Sequence, residues 1–138
     1  MTQQTIYHIG TPGTPWGATE KAQWLAEQTK KRSYFDDVVS KIETFKSDFD
    51  VDQYGELAYD SGTYPLFVVR TKNWDDSKPT VLVTGGVHGY ETSGVHGALR
   101  FIETKAKDYQ PHFNVVVAPC LSPWGYETIN RWNPDAVD

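Results

Sequence analysis

Two short apolar runs bracket an amphipathic segment of helical length, and that order constrains the fold more than any other feature of the chain. "TVLVTG" (80–85) and "FNVVVAP" (113–119) are rich in β-branched residues and too short for helices. They read as strands buried on both faces. Between them, 91–107 sets Val95, Leu99 and Ile102 on one helical face. Strand, helix, strand with little spare chain is a parallel βαβ unit with a right-handed crossover. Ligands of open α/β sheets bind beyond the carboxyl ends of parallel strands, so the loops after Thr84 and Ala118 are where chemistry is expected.

The remaining chain adds an antiparallel hairpin. "YGELAY" and "YPLFVVRT" are separated by the turn signal "DSGT", and Pro65 suits a strand start or an edge. Two helices precede it. The first spans 18–31 with a face of Ala18, Ala22, Trp24 and Leu25. The second opens on a capping box, Ser33 to Asp36, and repeats Phe35, Val38, Val39, Ile42 and Phe45 at helical spacing. Residues 1–17 read as an irregular arm rich in Gly, Pro and Thr, and the chain beyond Pro119 reads as loop, which in a compact domain is often functional. The expected class is α/β: a mixed sheet with a parallel βαβ unit and an antiparallel hairpin, in one domain over 1–138.

Composition excludes several functions. With 138 residues, 38% of them hydrophobic, the chain can bury the core of one domain. A net charge of −5 argues against tracking a nucleic-acid backbone. The single cysteine, Cys120, rules out a disulfide framework or a cysteine-based zinc site within one chain. No apolar run approaches the ~20 residues of a membrane span, and no basic segment precedes an apolar one at the amino terminus. The expectation is a soluble cytoplasmic protein with no nucleic-acid or membrane partner.

The segment "VLVTGGVHGYETSG" (81–94) concentrates the chemistry: His88 and Glu91 stand three apart on a glycine-rich corner. Gly85, Gly86 and Gly89 let the backbone bend sharply and leave room beside it. Three readings compete. Glu91 is a carboxylate favoured by a helix amino terminus and His88 a hydrogen-bonded loop residue; or the glycines cradle phosphate; or the pair binds metal. The spacing is neither G-x-G-x-x-G nor a P-loop, and no Lys follows, which disfavours phosphate. Imidazole nitrogen and carboxylate oxygen suit Zn²⁺, and catalytic sites with two His and one Glu keep a position open for water.

"HGYE" after a buried strand, followed by "SPWGYETINRWNPDAVD", resembles the carboxypeptidase A-like zinc metallopeptidases, a family that also embraces aspartoacylase-type amidases. The resemblance covers about 52–138, most strongly 79–138. It implies that His88 and Glu91 are zinc ligands. It also implies that Ser122, Pro123, Trp124 and Gly125 match an N-P-x-G-like turn, with Ser in place of Asn. Arg131 then polarises the scissile carbonyl, and Asp138 hydrogen-bonds the zinc-binding His88. The family's third ligand (a second His), an Asn-Arg pair that grips a substrate carboxylate and a Glu that activates water have no counterpart in these 138 residues. The resemblance therefore implies the amino-terminal half of a catalytic domain, truncated through its active site.

Local histidines do not complete the set. His96, eight after His88, reads as a packed helical residue, and His8 and His112 stand in an arm and a loop with no motif around them. The expected activity is zinc-dependent hydrolysis of an amide bond near a free carboxylate, of the metallocarboxypeptidase type, with this chain by itself inactive. One alternative is an amidohydrolase of the aspartoacylase or succinylglutamate desuccinylase type, acting on N-acyl amino acids. Another is a non-catalytic α/β module. A third possibility is association with a separate carboxyl-terminal half that rebuilds the sheet.

Overall fold

The computed structural model describes residues 7–138. Four strands, β1 (Phe49–Tyr59), β2 (Gly62–Thr71), β3 (Thr80–Thr84) and β4 (Asn114–Ala118), form one mixed sheet in the order β1-β2-β4-β3. The helices are α1 (Ala18–Ala26), α2 (Ser40–Glu43), α3 (Thr92–Phe101), α4 (Lys107–Tyr109) and α5 (Pro123–Thr128). π-helical turns lead into α2 (Phe35–Val39) and join α3 to α4 (Ile102–Ala106).

The expected hairpin is present and longer than its sequence signal. β1 and β2 pair antiparallel from Tyr59↔Gly62 at the turn to Phe49↔Thr71, with a register shift between Gln53 and Gly55. Once the turn sets the register, pairing continues wherever a partner backbone is available, which carries β1 back past Tyr54. β2 meets β4 only at Val69↔Val117 and Arg70↔Val116. Pro65 lies beyond that short contact, so its missing N–H is not needed by a second neighbour.

The βαβ unit is also present: β3 and β4 pair in parallel from Thr80↔Asn114 to Thr84↔Ala118, joined through α3. The two strands differ in burial, however. β4 is internal, with Val115 and Val117 buried, whereas β3 is the edge of the sheet and leaves Leu82 64% exposed. The expectation of burial on both faces thus holds for β4 and fails for β3. An apolar run encodes a preference for burial but not the number of neighbours the strand acquires.

Among the helices, Val95, Leu99 and Ile102 are buried as their spacing predicts. Ser33 accepts the Asp36 N–H at its Oγ (3.1 Å), as one half of the expected capping box; Val38, Ile42 and Phe45 face the core, while Phe35 is exposed. α1 ends five residues early and buries only Trp24, which packs on Trp124 with ring centroids 5.8 Å apart. Ala18, Ala22 and Leu25 are exposed, so the predicted face shrinks to one side chain. Residues 7–17 of the amino-terminal arm contain no helix or strand, and residues 1–6 lie outside the described residues.

The segment after Pro119, read as loop, contains α5, whose six residues are all buried. Pro123 at its start pre-sets the helical φ, and Ile129 ends it in the left-handed region (φ 55°). Glu127 anchors the helix from inside. Its carboxylate accepts the Tyr34 N–H (2.9 Å) and the Tyr64 hydroxyl (2.9 Å) and pairs with Lys30 (2.8 Å). Among the described residues no helix is long and apolar enough to cross a membrane.

Candidate metal centre

Because β3 and β4 run parallel, the chain leaves both strands at the same edge of the sheet. Backbone pairing continues past the strands: Gly85 N–H donates to Ala118, Leu121 N–H to Gly85 and Ser122 N–H to Gly86, all within 3.1 Å. Gly86 takes φ +59°, a conformation that residues with a Cβ rarely adopt. Gly89 is needed for a different reason. A Cβ there would lie 1.8 Å from the carbonyl carbon of Gly125, so this loop and α5 touch backbone to backbone.

Within the loop, the Glu91 N–H donates to the His88 carbonyl (3.0 Å), a tight turn that sets the two side chains together. His88 Nδ1 and Glu91 Oε1 are 2.9 Å apart. Glu91 does occupy the N-cap position of α3, but it makes no side-chain cap; its carboxylate turns to His88. The helix-terminus and His-partner readings therefore describe the same residue.

The other half of the site arrives from α5. Asn130 accepts the Tyr90 N–H at its carbonyl (3.0 Å), which brings the carboxyl-terminal segment over the loop. Asn133 then folds the segment: its side-chain oxygen accepts the N–H groups of Asp135 and Val137 (both 3.0 Å), turn chemistry typical of Asn. The turn returns Asp138 to Arg131, whose Nε and Nη2 both donate to Asp138 Oδ2 (2.9 and 2.7 Å). The second Asp138 oxygen lies 2.9 Å from His88 Nε2. The structure thus brings together all four residues singled out in the sequence, in the chain Glu91–His88–Asp138–Arg131.

The hydrogen bond from His88 holds the Glu91 carboxyl below the usual range, and the bond from Arg131, more than His88, does the same for Asp138. Both are therefore anionic at neutral pH. Arg131 is held more firmly protonated by Asp138 and, secondarily, by Tyr90. His88 is 23% exposed against 45% for Glu91, so the pair opens to solvent while the ring is partly shielded.

The geometry tests the metal reading. An ion shared tetrahedrally by the two groups would separate the donor atoms by about 3.4 Å at ordinary metal–ligand distances. The observed 2.9 Å requires an opening of only about half an ångström. With Nδ1 directed to Glu91, Nε2 is left to a carboxylate, the usual support for a metal-binding imidazole. The donors fit two places of a coordination set. Among the described residues, no group of three or more His, Cys, Asp or Glu side chains is arranged to hold a metal.

The other histidines lie elsewhere. His96 is on the exposed side of α3, 3.2 Å from the Tyr126 hydroxyl; it was expected to be packed. His8 pairs with Glu27 and His112 sits in an exposed turn. Ser122, Pro123, Trp124 and Gly125, matched to a turn in the sequence, form the entry and first turn of α5. Sequence reasoning missed Tyr90, although it stands inside "HGYE", and Arg32, whose contacts with this loop have no local sequence signal.

No family model matches the chain and no curated protein matches its sequence. The fold does match solved structures. A presumed metallopeptidase of Shewanella baltica OS155 aligns with a TM-score of 0.61 at 20% identity over 78% of this chain and 42% of its own. One of Shewanella amazonensis SB2B aligns with a TM-score of 0.59 at 21% identity over 72% of this chain and 35% of its own. Bovine thrombin-activatable fibrinolysis inhibitor, solved with tick carboxypeptidase inhibitor, gives 0.53 at 16% identity, over 80% of this chain and 38% of its own. The chain has a metallopeptidase-like α/β fold. It spans roughly two-fifths of the length of these solved proteins, as the 35–42% coverage shows.

Proposed function

We propose that this chain carries part of the active centre of a zinc-dependent metallocarboxypeptidase, hydrolysing an amide bond near a free carboxylate. The observation that carries this reading is the line of four side chains from Glu91 to Arg131 at the carboxyl edge of the parallel strands. His88, through Nδ1, and Glu91 would hold Zn²⁺ together with a further histidine from outside this sequence. When bound, the metal would supply Lewis acidity and lower the pKa of a coordinated water.

The chain's own residues do the rest. Asp138 accepts the His88 Nε2–H, which leaves the Nδ1 lone pair for a metal beside Glu91 and holds the ring in one orientation. Arg131 is tethered to Asp138 beside that ring and offers positive charge where a carbonyl oxygen becomes negative. Glu91, partnered by His88 and kept anionic, is an oxygen donor across neutral pH.

Zn²⁺ titration of the isotopically labelled chain, read at the histidine ring nitrogens, tests this. The expected result is a response confined to His88, lost on dialysis because two protein ligands hold zinc weakly, abolished in His88→Ala and Glu91→Gln and preserved in Arg131→Ala. A response at His8, His96 or His112 with His88 unchanged refutes the reading. Loss of the response in Arg131→Ala refutes the division of roles. In an enzyme with the further ligands present, Arg131→Ala should lower kcat by ~10²–10³ with metal content unchanged.

A further inference from the structure

We propose that Arg32 is a positioning residue for the candidate metal centre, clamping the loop that carries His88 and Glu91 onto α5. The proposal rests on the metal reading above for its consequence, though its geometry stands alone. Arg32 lies between α1 and the helical turn at Phe35, 57 residues before Gly89 in the chain, and plays no part in the roles assigned so far.

Its guanidinium makes three directed hydrogen bonds. Nε donates to the Tyr126 carbonyl on α5 (2.6 Å), Nη1 to Thr92 Oγ1 (2.6 Å) and Nη2 to the Gly89 carbonyl (3.0 Å). The two acceptors outside α5 flank the candidate ligands: Gly89 follows His88, and Thr92 follows Glu91. One planar group therefore spans both ends of the His88–Glu91 turn and ties them to the helix beneath.

The anchor is itself held. The N–H groups of Lys31 and Arg32 both donate to the Glu127 carbonyl on α5 (2.8 and 3.3 Å), which sets where the side chain starts. The guanidinium carbon sits 3.7 Å from the centre of the Tyr126 ring, a cation–π contact that fixes its plane. Gly89 meets Gly125 with no room for a Cβ, so the loop rests on α5 at the place where Arg32 pulls it down. A lysine cannot reproduce this. Its ammonium is a single point, with neither the fork nor the plane needed to reach three acceptors while stacked.

The test uses the chain with Arg32→Met, Arg32→Lys and Thr92→Val, and reads amide hydrogen exchange together with Zn²⁺ titration at His88. In Arg32→Met, exchange at Tyr90, Glu91 and Thr92 should accelerate about 10–100-fold, while Val115 and Val117 in β4 stay within about threefold of the parent. The Zn²⁺ affinity read at His88 should fall about 10–100-fold, as for other residues that orient a ligand. Arg32→Lys should resemble Arg32→Met. Thr92→Val, which removes one of the three bonds and leaves the Arg32 backbone in place, should accelerate the loop in part. That variant and Arg32→Lys decide the matter if Arg32→Met does not fold.

Unchanged loop exchange overturns the proposal. So does equal acceleration in β4, which would make Arg32 a general stabiliser, or full rescue by Arg32→Lys. Should Zn²⁺ leave His88 unperturbed in the parent chain, the metal reading fails, and the exchange data still decide whether Arg32 clamps the loop.

Discussion

Replacing Gly89 by alanine probes the contact on which the site is assembled. Gly89 is not in the left-handed region, so the demand is for space and not for an unusual conformation. An ideal Cβ would stand 1.8 Å from the Gly125 carbonyl carbon, 2.1 Å from the Tyr126 nitrogen and 2.3 Å from the Gly125 Cα. All three are backbone atoms of a buried helix and cannot swing aside. Restoring ordinary contact requires the loop and α5 to part by about 1.6 Å or more. Such a shift breaks the Tyr90–Asn130 and Ser122–Gly86 backbone hydrogen bonds, both 3.0 Å. Each lost bond leaves groups that cost about 1–3 kcal/mol when buried unpaired, so the variant should lose about 3–5 kcal/mol. That is a large share of the roughly 5–15 kcal/mol typical of a domain, and failure to fold is within the expectation.

Gly97 supplies the control. It lies on α3 with nothing within 4 Å of its would-be Cβ. Gly97→Ala should therefore stabilise by about 0.5–1 kcal/mol through helix propensity alone. Urea unfolding of both variants, followed by tryptophan fluorescence, gives the comparison. A Gly89→Ala loss below about 1 kcal/mol would refute the backbone-to-backbone contact and the geometry of the site that depends on it.

Two further outcomes follow from burial and charge. Leu82→Thr on the exposed edge strand should change stability by no more than about 0.5 kcal/mol, whereas Val117→Ala in β4 should cost about 2–3 kcal/mol; equal losses in urea unfolding would contradict the placement of β3 at the edge. Glu91 and Asp138 both have folded-state pKa values below their unfolded ones, so their contribution is present above the ordinary carboxylate range and is lost as pH falls through the lowered values. Acid should therefore release the His88 turn in the parent chain, seen as faster amide exchange at Tyr90 and Glu91, and less so in a Glu91→Gln, Asp138→Asn double variant. An identical acid response in both would show that these carboxylates do not hold the loop.

Much of this protein was legible in local sequence, for a physical reason. Periodicity and turn chemistry act over a few residues, and they determined the hairpin, the βαβ unit, the buried face of α3 and the glycine-rich corner that carries His88 and Glu91. The resemblance carried by the ordered motif, not any local preference, pointed to Arg131 and Asp138 as the other two candidates, and the structure brings all four side chains together. The same signals misjudged features set by distant neighbours. β3 and β4 look alike as sequences, yet one is an edge and the other is internal, because only the assembled sheet assigns neighbours. "PWGYET" has a proline and a glycine, as a loop would, but its burial beneath the His88 loop makes it a helix. Sequence likewise cannot distinguish Gly89, pressed on Gly125, from Gly97, which faces open space. Nor can it pair Arg32 with a carbonyl 57 residues away. Those contacts exist only once long loops have closed, and closure is decided by the packing of the whole chain, not by any segment's own preference.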